Sequence, residues 1–165
     1  MHEATGPRTE LAADDFIAIH GLVHRYADAV VHRDEVQWRL CWAEDARWRL
    51  GAGREVEGRD AIVELWSSAM SAYAAVVQTV QNGAAASDGP ARATGRWYVS
   101  ERFCRKDGGR GILLAHYDDE YVRRDEGWQF ASRALQIHYR GAPDLSDEFL
   151  NTTDQLRARG VAAAG

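Results

Sequence analysis

The stretch from Ala115 to Arg133 constrains the fold more than any other part of the chain. It reads A-H-Y-D-D-E-Y-V-R-R-D-E-G-W-Q-F-A-S-R, two long strand-like runs on either side of Asp125-Glu126-Gly127. An acidic-Gly pair between such runs is a tight-turn signal, so the stretch predicts an antiparallel hairpin. Side chains alternate along a strand. Tyr117, Asp119, Tyr121 and Arg123 therefore share one face, and by the same counting Gln129, Ala131 and Arg133 share a face of the second strand. If the Tyr117 and Arg133 faces coincide, a phenol, a carboxylate and a guanidinium converge on one side of a sheet.

Upstream, the periodicity changes. Ile19, Leu22, Val23, Tyr26 and Val30 recur at three- and four-residue spacing, which predicts a buried helical stripe. Ala12 to Asp15 opens that helix, with carboxylates at its positive end, and it runs to about His32. Asp34 is expected to cap a short second helix carrying Val36, Leu40, Cys41 and Trp42. Residues 43–50 lead into a strand, Gly51 to Gly58 form a hairpin, and Arg59-Asp60 opens a third helix to about Tyr73. Strand-like runs follow at 76–86, 91–105, 111–124 and 128–140, and a short helix is expected at 146–157. Helices followed by a meander of long strands indicate an α+β fold, the helices on one face of a curved sheet.

A net charge of -5 with no basic stripe argues against a nucleic-acid partner. No long apolar run indicates a membrane span or a signal peptide, and Cys41 and Cys104 form no framework. A reduced, cytoplasmic, single-domain protein of residues 1–165 is expected, its ends at about 1–11 and 158–165 flexible.

The hairpin pattern Tyr117-x-Asp119, Arg123, acidic-Gly turn, Trp128, Arg133 resembles the SnoaL-like branch of the nuclear-transport-factor-2-like superfamily. Arg25 to Ala29, Ala43 to Ala46 with Trp48, Glu57 to Ile62 and Gln78 to Asn82 extend the likeness in order and spacing. The resemblance implies a cone-shaped half-barrel, a curved and mostly antiparallel sheet covered by three N-terminal helices, enclosing one pocket. It also implies a cofactor-independent lyase or isomerase (dehydration, isomerisation or cyclisation) acting on a hydrophobic cyclic or polyketide-like small molecule. A homo-oligomer, dimer or trimer, is expected. Several members remove a proton from carbon with a His that a helix-borne Asp orients, since a neutral imidazole titrates near working pH. In this chain those places fall on Val31 and Gln78, neither of which serves such a dyad.

The remaining polar candidates on the implied pocket are Asp119, Glu101 and His116 for proton transfer, and Tyr26, Tyr117 and Arg133 for charge stabilisation. Trp48, Trp66, Met70, Gln78, Asn82, Trp97 and Leu135 are expected around the substrate. Against these roles stand plainer ones. Asp119 and Arg133 also suit a structural cross-strand pair, and Tyr117 a packing ring. By parity His116 and His138 face away from the Arg133 side. His20, His24 and Asp28 stack on one helix face, but as a polar flank, and no metal site is expected. A non-catalytic alternative is a ligand-binding or subunit domain like the small subunit of aromatic-ring dioxygenases, which shares the hairpin pattern.

Overall fold

The computed structural model describes residues 9–51 and 53–150. Helices α1 (Ala13–His32) and α2 (Glu35–Leu40) precede strands β1 (Trp42–Gly51) and β2 (Arg54–Glu57), then helix α3 (Arg59–Met70). Strands β3 (Tyr73–Ser87), β4 (Arg92–Arg105), β5 (Arg110–Arg124) and β6 (Gly127–Gly141) complete an open six-stranded sheet of order β2-β1-β6-β5-β4-β3. The meander is antiparallel, as expected. β1 adds to β6 in parallel, which the local pattern of the chain does not reveal. α1 lies across β3 and β6, and α3 lies against β1.

Local chemistry explains the helix ends. The predicted stripe of α1 is buried in full, joined by Ala27 and Ala29. The helix stops where Arg33 turns left-handed, at φ 56. A residue with a Cβ pays roughly 1–2 kcal/mol for that conformation, and the Arg33 guanidinium offsets it by donating to the Tyr73 carbonyl at 2.7 Å. Asp34 caps α2, its side chain accepting from the Gln37 amide at 2.9 Å. Trp42, read as helical from the sequence, instead begins β1.

Two bulges on the β5–β6 ladder change what simple alternation predicts. The register shifts between Glu120 and Tyr121, so Phe130 opposes Tyr121 while Arg133 opposes Asp119. Ala131 is the extra residue, and Phe130 and Arg133 both face inward. Gln129 and Ala131 therefore do not share the Arg133 face, contrary to the period-two count. A second shift between Leu114 and Ala115 places His138 in the bulge.

The interior beneath the helices is filled. Trp38, Trp42, Trp48 and Trp66 pack together with Tyr26 and Phe130, Trp38 and Trp66 stacked at 4.5 Å and 10°. All six are at most 7% exposed. No helix among the described residues is long and apolar enough to cross a membrane. The expected flexible ends fall largely, and the helix expected at 146–157 partly, outside the described residues; 146–150 are not helical, and Thr9 bridges to Ser87.

Candidate active site

On the inner face, Asp119 and Arg133 do meet. Arg133 Nε and Nη2 donate to the two Asp119 carboxylate oxygens at 2.9 and 3.1 Å, and the Tyr121 hydroxyl donates to Oδ2 at 2.8 Å. Trp97 Nε1 in turn donates to the Tyr121 oxygen at 2.9 Å. The guanidinium carbon lies 3.9, 4.2 and 4.1 Å from the ring centres of Tyr117, Tyr26 and Phe130. Burial pushes the Asp119 carboxyl up, and Arg133 and Tyr121 pull it back. Burial works against the charge on Arg133, but Asp119, together with Tyr26 and Tyr117, more than offsets it and keeps the guanidinium protonated. Both Asp119 oxygens are engaged in a bidentate ion pair that is 3% and 1% exposed, so this carboxylate is a structural partner for Arg133 and is badly placed to accept a substrate proton.

Glu101 stands differently. It opposes Gln78 on β3 and Leu113 on β5. Its one side-chain hydrogen bond among the described residues comes from Gln78 Nε2 at 3.1 Å. Burial raises its carboxyl above the ordinary range, while Gln78 and then Arg140 draw it back only in part. Its charge acts on both Tyr26 and Tyr117. The two tyrosine rings meet edge to face at 6.0 Å. Burial raises both phenols, Tyr26 the more, while Arg133 acts to lower them. A half-buried carboxylate with spare acceptor capacity, its charge reaching two cation-backed phenols, is a set able to move a proton and hold an oxyanion.

This end of the inner face is accessible. The inward-facing Val80, Glu101, Phe103, Leu135 and Ile137 are only half-buried, and Val80, Leu135 and Ile137 pack around Val99, Leu113, Ala115 and Tyr117. The cone is thus closed by aromatic rings at one end and open at the other.

The structure sorts the remaining candidates. Gln78 is buried beside Glu101, its Oε1 without a hydrogen bond, and Leu135 opposes Tyr117. Trp48 and Trp66 belong to the closed aromatic core, Met70 packs on that core, and Trp97 is committed to Tyr121. Asn82 is exposed at the bulge where β3 slips against β4 between Val80 and Gly83, so it does not join Gln78. Val31 is half-buried with no carboxylate to offer.

His116 and His138 lie on the outer face, as parity predicted, and this removes His116 from the inner set. There they form a pair that sequence reading missed, because His138 reaches it through the bulge. His116 Nδ1 and His138 Nε2 are 2.7 Å apart, Asp118 Oδ2 is 3.4 Å from His116 Nε2, and Asp118 accepts from Arg96 Nε at 2.7 Å. Burial lowers both imidazoles. His20 and His24 stack at 4.0 Å on exposed α1 surface, and no cluster among the described residues has the ligands to hold a metal. Cys41 is buried, which pushes its thiol up to about 11 and makes it a poor nucleophile. A surface concavity of about 960 Å³ is lined largely by charged side chains, among them Arg59, Arg123 and Arg124, and a second of about 510 Å³ has a mixed lining that includes Arg49, Arg96, Asp119 and Ala84 to Ala86. Neither reaches Glu101, Tyr26 or Tyr117.

The sequence profile of the SnoaL-like domain matches residues 12–134. Among solved structures, a candidate aromatic ring hydroxylase from Novosphingobium aromaticivorans superposes with a TM-score of 0.75 at 23% identity, over 80% of this chain and 95% of that one. A hexachlorocyclohexane dehydrochlorinase, LinA-type3 of Novosphingobium barchaimii, gives 0.71 at 19% over 82% and 94%. A candidate scytalone dehydratase from Novosphingobium aromaticivorans gives 0.72 at 20% over 83% and 91%. At these identities the likeness is one of fold. No curated protein matches the chain.

Proposed function

The chain belongs to the SnoaL-like family, and from that membership we propose a cofactor-independent lyase or isomerase acting on a hydrophobic, cyclic or polyketide-like small molecule. The observation that carries the reading is Glu101, an inward carboxylate above its usual range, whose one side-chain hydrogen bond among the described residues comes from Gln78 and whose charge reaches Tyr26 and Tyr117. Glu101 takes a proton from a carbon beside a carbonyl, so that the electron pair moves onto the carbonyl oxygen. The Tyr117 hydroxyl, which accepts from the Tyr26 hydroxyl, donates to the oxygen on which charge develops, and the Arg133 guanidinium stacked on both rings strengthens it as a donor. In a dehydration the protonated Glu101 then returns its proton to the departing hydroxyl. Fold relatives named for a dehydrochlorination and a dehydration support this class. On this reading the chain is one domain and works as a cytoplasmic homo-oligomer of two or three copies.

The test uses 5-nitrobenzisoxazole, an apolar probe that opens when a base removes its ring C–H and the N–O bond breaks, giving a coloured cyanophenolate. Wild-type protein is expected to open it faster than buffer, and Glu101→Gln to lose about 100-fold or more of that rate, the usual scale of general-base catalysis. An equal rate in a folded Glu101→Gln variant contradicts the proposal. A second reading, a non-catalytic subunit domain, draws on the fully committed Asp119 and the fold shared with the candidate hydroxylase. Its mark is no rate above buffer together with obligate co-purification with a larger, iron-containing chain.

A further inference from the structure

We propose that the open end of the inner face receives a substrate carrying an anionic group, a carboxylate or sulfonate in kind, which Arg140 binds while the apolar body reaches Glu101. The proposal rests on the active-site reading above and names the substrate class for that site. Its basis is a gathering of guanidinium groups around Tyr73. Arg33 Nη2 donates to the Tyr73 carbonyl at 2.7 Å, Arg105 lies 5.5 Å over the Tyr73 ring, and Arg140 Nη2 stands 3.5 Å from the Tyr73 hydroxyl. Arg140 also lies 6.0 Å over Phe103, whose ring meets Tyr73 edge to face at 5.5 Å.

Phe103 shares the inward side of β4 with Glu101, two residues apart, so this aromatic pair borders the entry to the proton-transfer group. Of the three arginines, Arg105 has an exposed carboxylate partner, Asp107 at 3.4 Å. Arg33 and Arg140 have no carboxylate within ion-pair distance among the described residues. A chain with a net charge of -5 has acids to spare for pairing its arginines, yet among the described residues Arg140 has only the field of Glu101, with no ion-pair contact. Arg140 is exposed and reaches the Tyr73 hydroxyl and the Phe103 ring, which places its charge at the opening where an incoming anion passes. Phe103, half-buried under Arg140, and Leu135, half-buried further along the inner face opposite Tyr117, supply the apolar wall for the rest of the molecule.

Two fluorescent probes separate the anionic contribution from the apolar one: 8-anilinonaphthalene-1-sulfonate and N-phenyl-1-naphthylamine, the same skeleton without the sulfonate. Wild-type protein is expected to bind the sulfonate about tenfold more tightly, the scale of one charge-assisted contact. Arg140→Gln is expected to abolish that preference and leave the neutral probe unchanged. Leu135→Trp, which fills the apolar wall, is expected to exclude both, with thermal melting confirming that each variant folds. Equal binding of the two probes by wild type, or a preference that survives in Arg140→Gln, overturns the anion proposal. If Leu135→Trp still excludes both probes in those cases, the active-site reading stands. Wild type that binds neither probe, or a folded Leu135→Trp that binds both normally, sinks the two together.

Discussion

Asp119 faces Arg133 across the β5–β6 ladder, whereas Glu101 faces Gln78 on one side and Leu113 on the other. Both carboxylates point inward, and the partner opposite each decides its chemistry. Removing the charge of Asp119 leaves Arg133 buried and unpaired, a loss of about 3–5 kcal/mol for a broken buried pair. Asp119→Asn is therefore expected to lower the urea midpoint sharply; a variant of native stability that is merely inactive would return Asp119 to the role of base. Glu101 behaves in the opposite sense. Its folded carboxyl is raised above its unfolded value by burial, so its contribution to stability is full below the unfolded pKa and is lost as pH rises through the folded one. Glu101→Gln is expected to raise the melting temperature at pH near 7 and to change it little below about pH 4, where an ordinary Glu is already protonated. A melting temperature that falls at neutral pH contradicts the assignment of Glu101 as a strained acid. Counting residues placed both carboxylates on the right face. It did not reveal which one is occupied, because that depends on cross-strand register.

Helix faces were legible at the scale of elements, since the α1 stripe follows from apolar spacing alone. Strand faces were legible only as far as the first bulge. Ala131 and the bulge at His138 each restart the alternation, and neither position carries a glycine or proline to announce it. The bulge on β3 is different, for Gly83 sits at its end. A Cβ there would lie 2.3 Å from the Trp97 ring and 2.7 Å from the Arg96 carbonyl, so Trp97 must shift and its bond to Tyr121 with it. Gly83→Ala is expected to cost about 1–3 kcal/mol, as overpacked sites do, measured by denaturant unfolding; a neutral effect would mean the bulge is loose. On the outer face, the 2.7 Å contact between His116 and His138 needs one neutral ring, and Asp118 and Arg96 flank it with opposite charges. Both imidazoles are lowered in the folded state, so their contribution to stability is present above the unfolded value of about 6.5 and lost as pH falls through the folded ones. Unfolding free energies at pH 7.5 and pH 5 are expected to differ less in His138→Gln than in wild type. An unchanged pH dependence would show that the pair does not titrate in this range.

For the molecule as a whole, composition announced many aromatic side chains but not how they divide between core and cavity. Trp48 and Trp66, expected around a ligand, instead pack into the closed end of the cone, with Trp38, unremarked in the sequence, at their centre, and Trp97 is tied to Tyr121. That division comes from helices α2 and α3 pressing on β1, a long-range arrangement with no local signal. Family membership and the α+β cone were readable beforehand. The Gln78–Glu101 pair needed the β3–β4 register. The central claim is that chemistry occurs only at the open end, between Glu101, Tyr117 and Leu135. The most direct measurement is a crystal structure of Glu101→Gln soaked with 5-nitrobenzisoxazole. The account predicts the probe with its C–H toward residue 101 and its ring against Leu135, and a probe found in the concavity near Arg49 and Arg96, with the inner face empty, would contradict it.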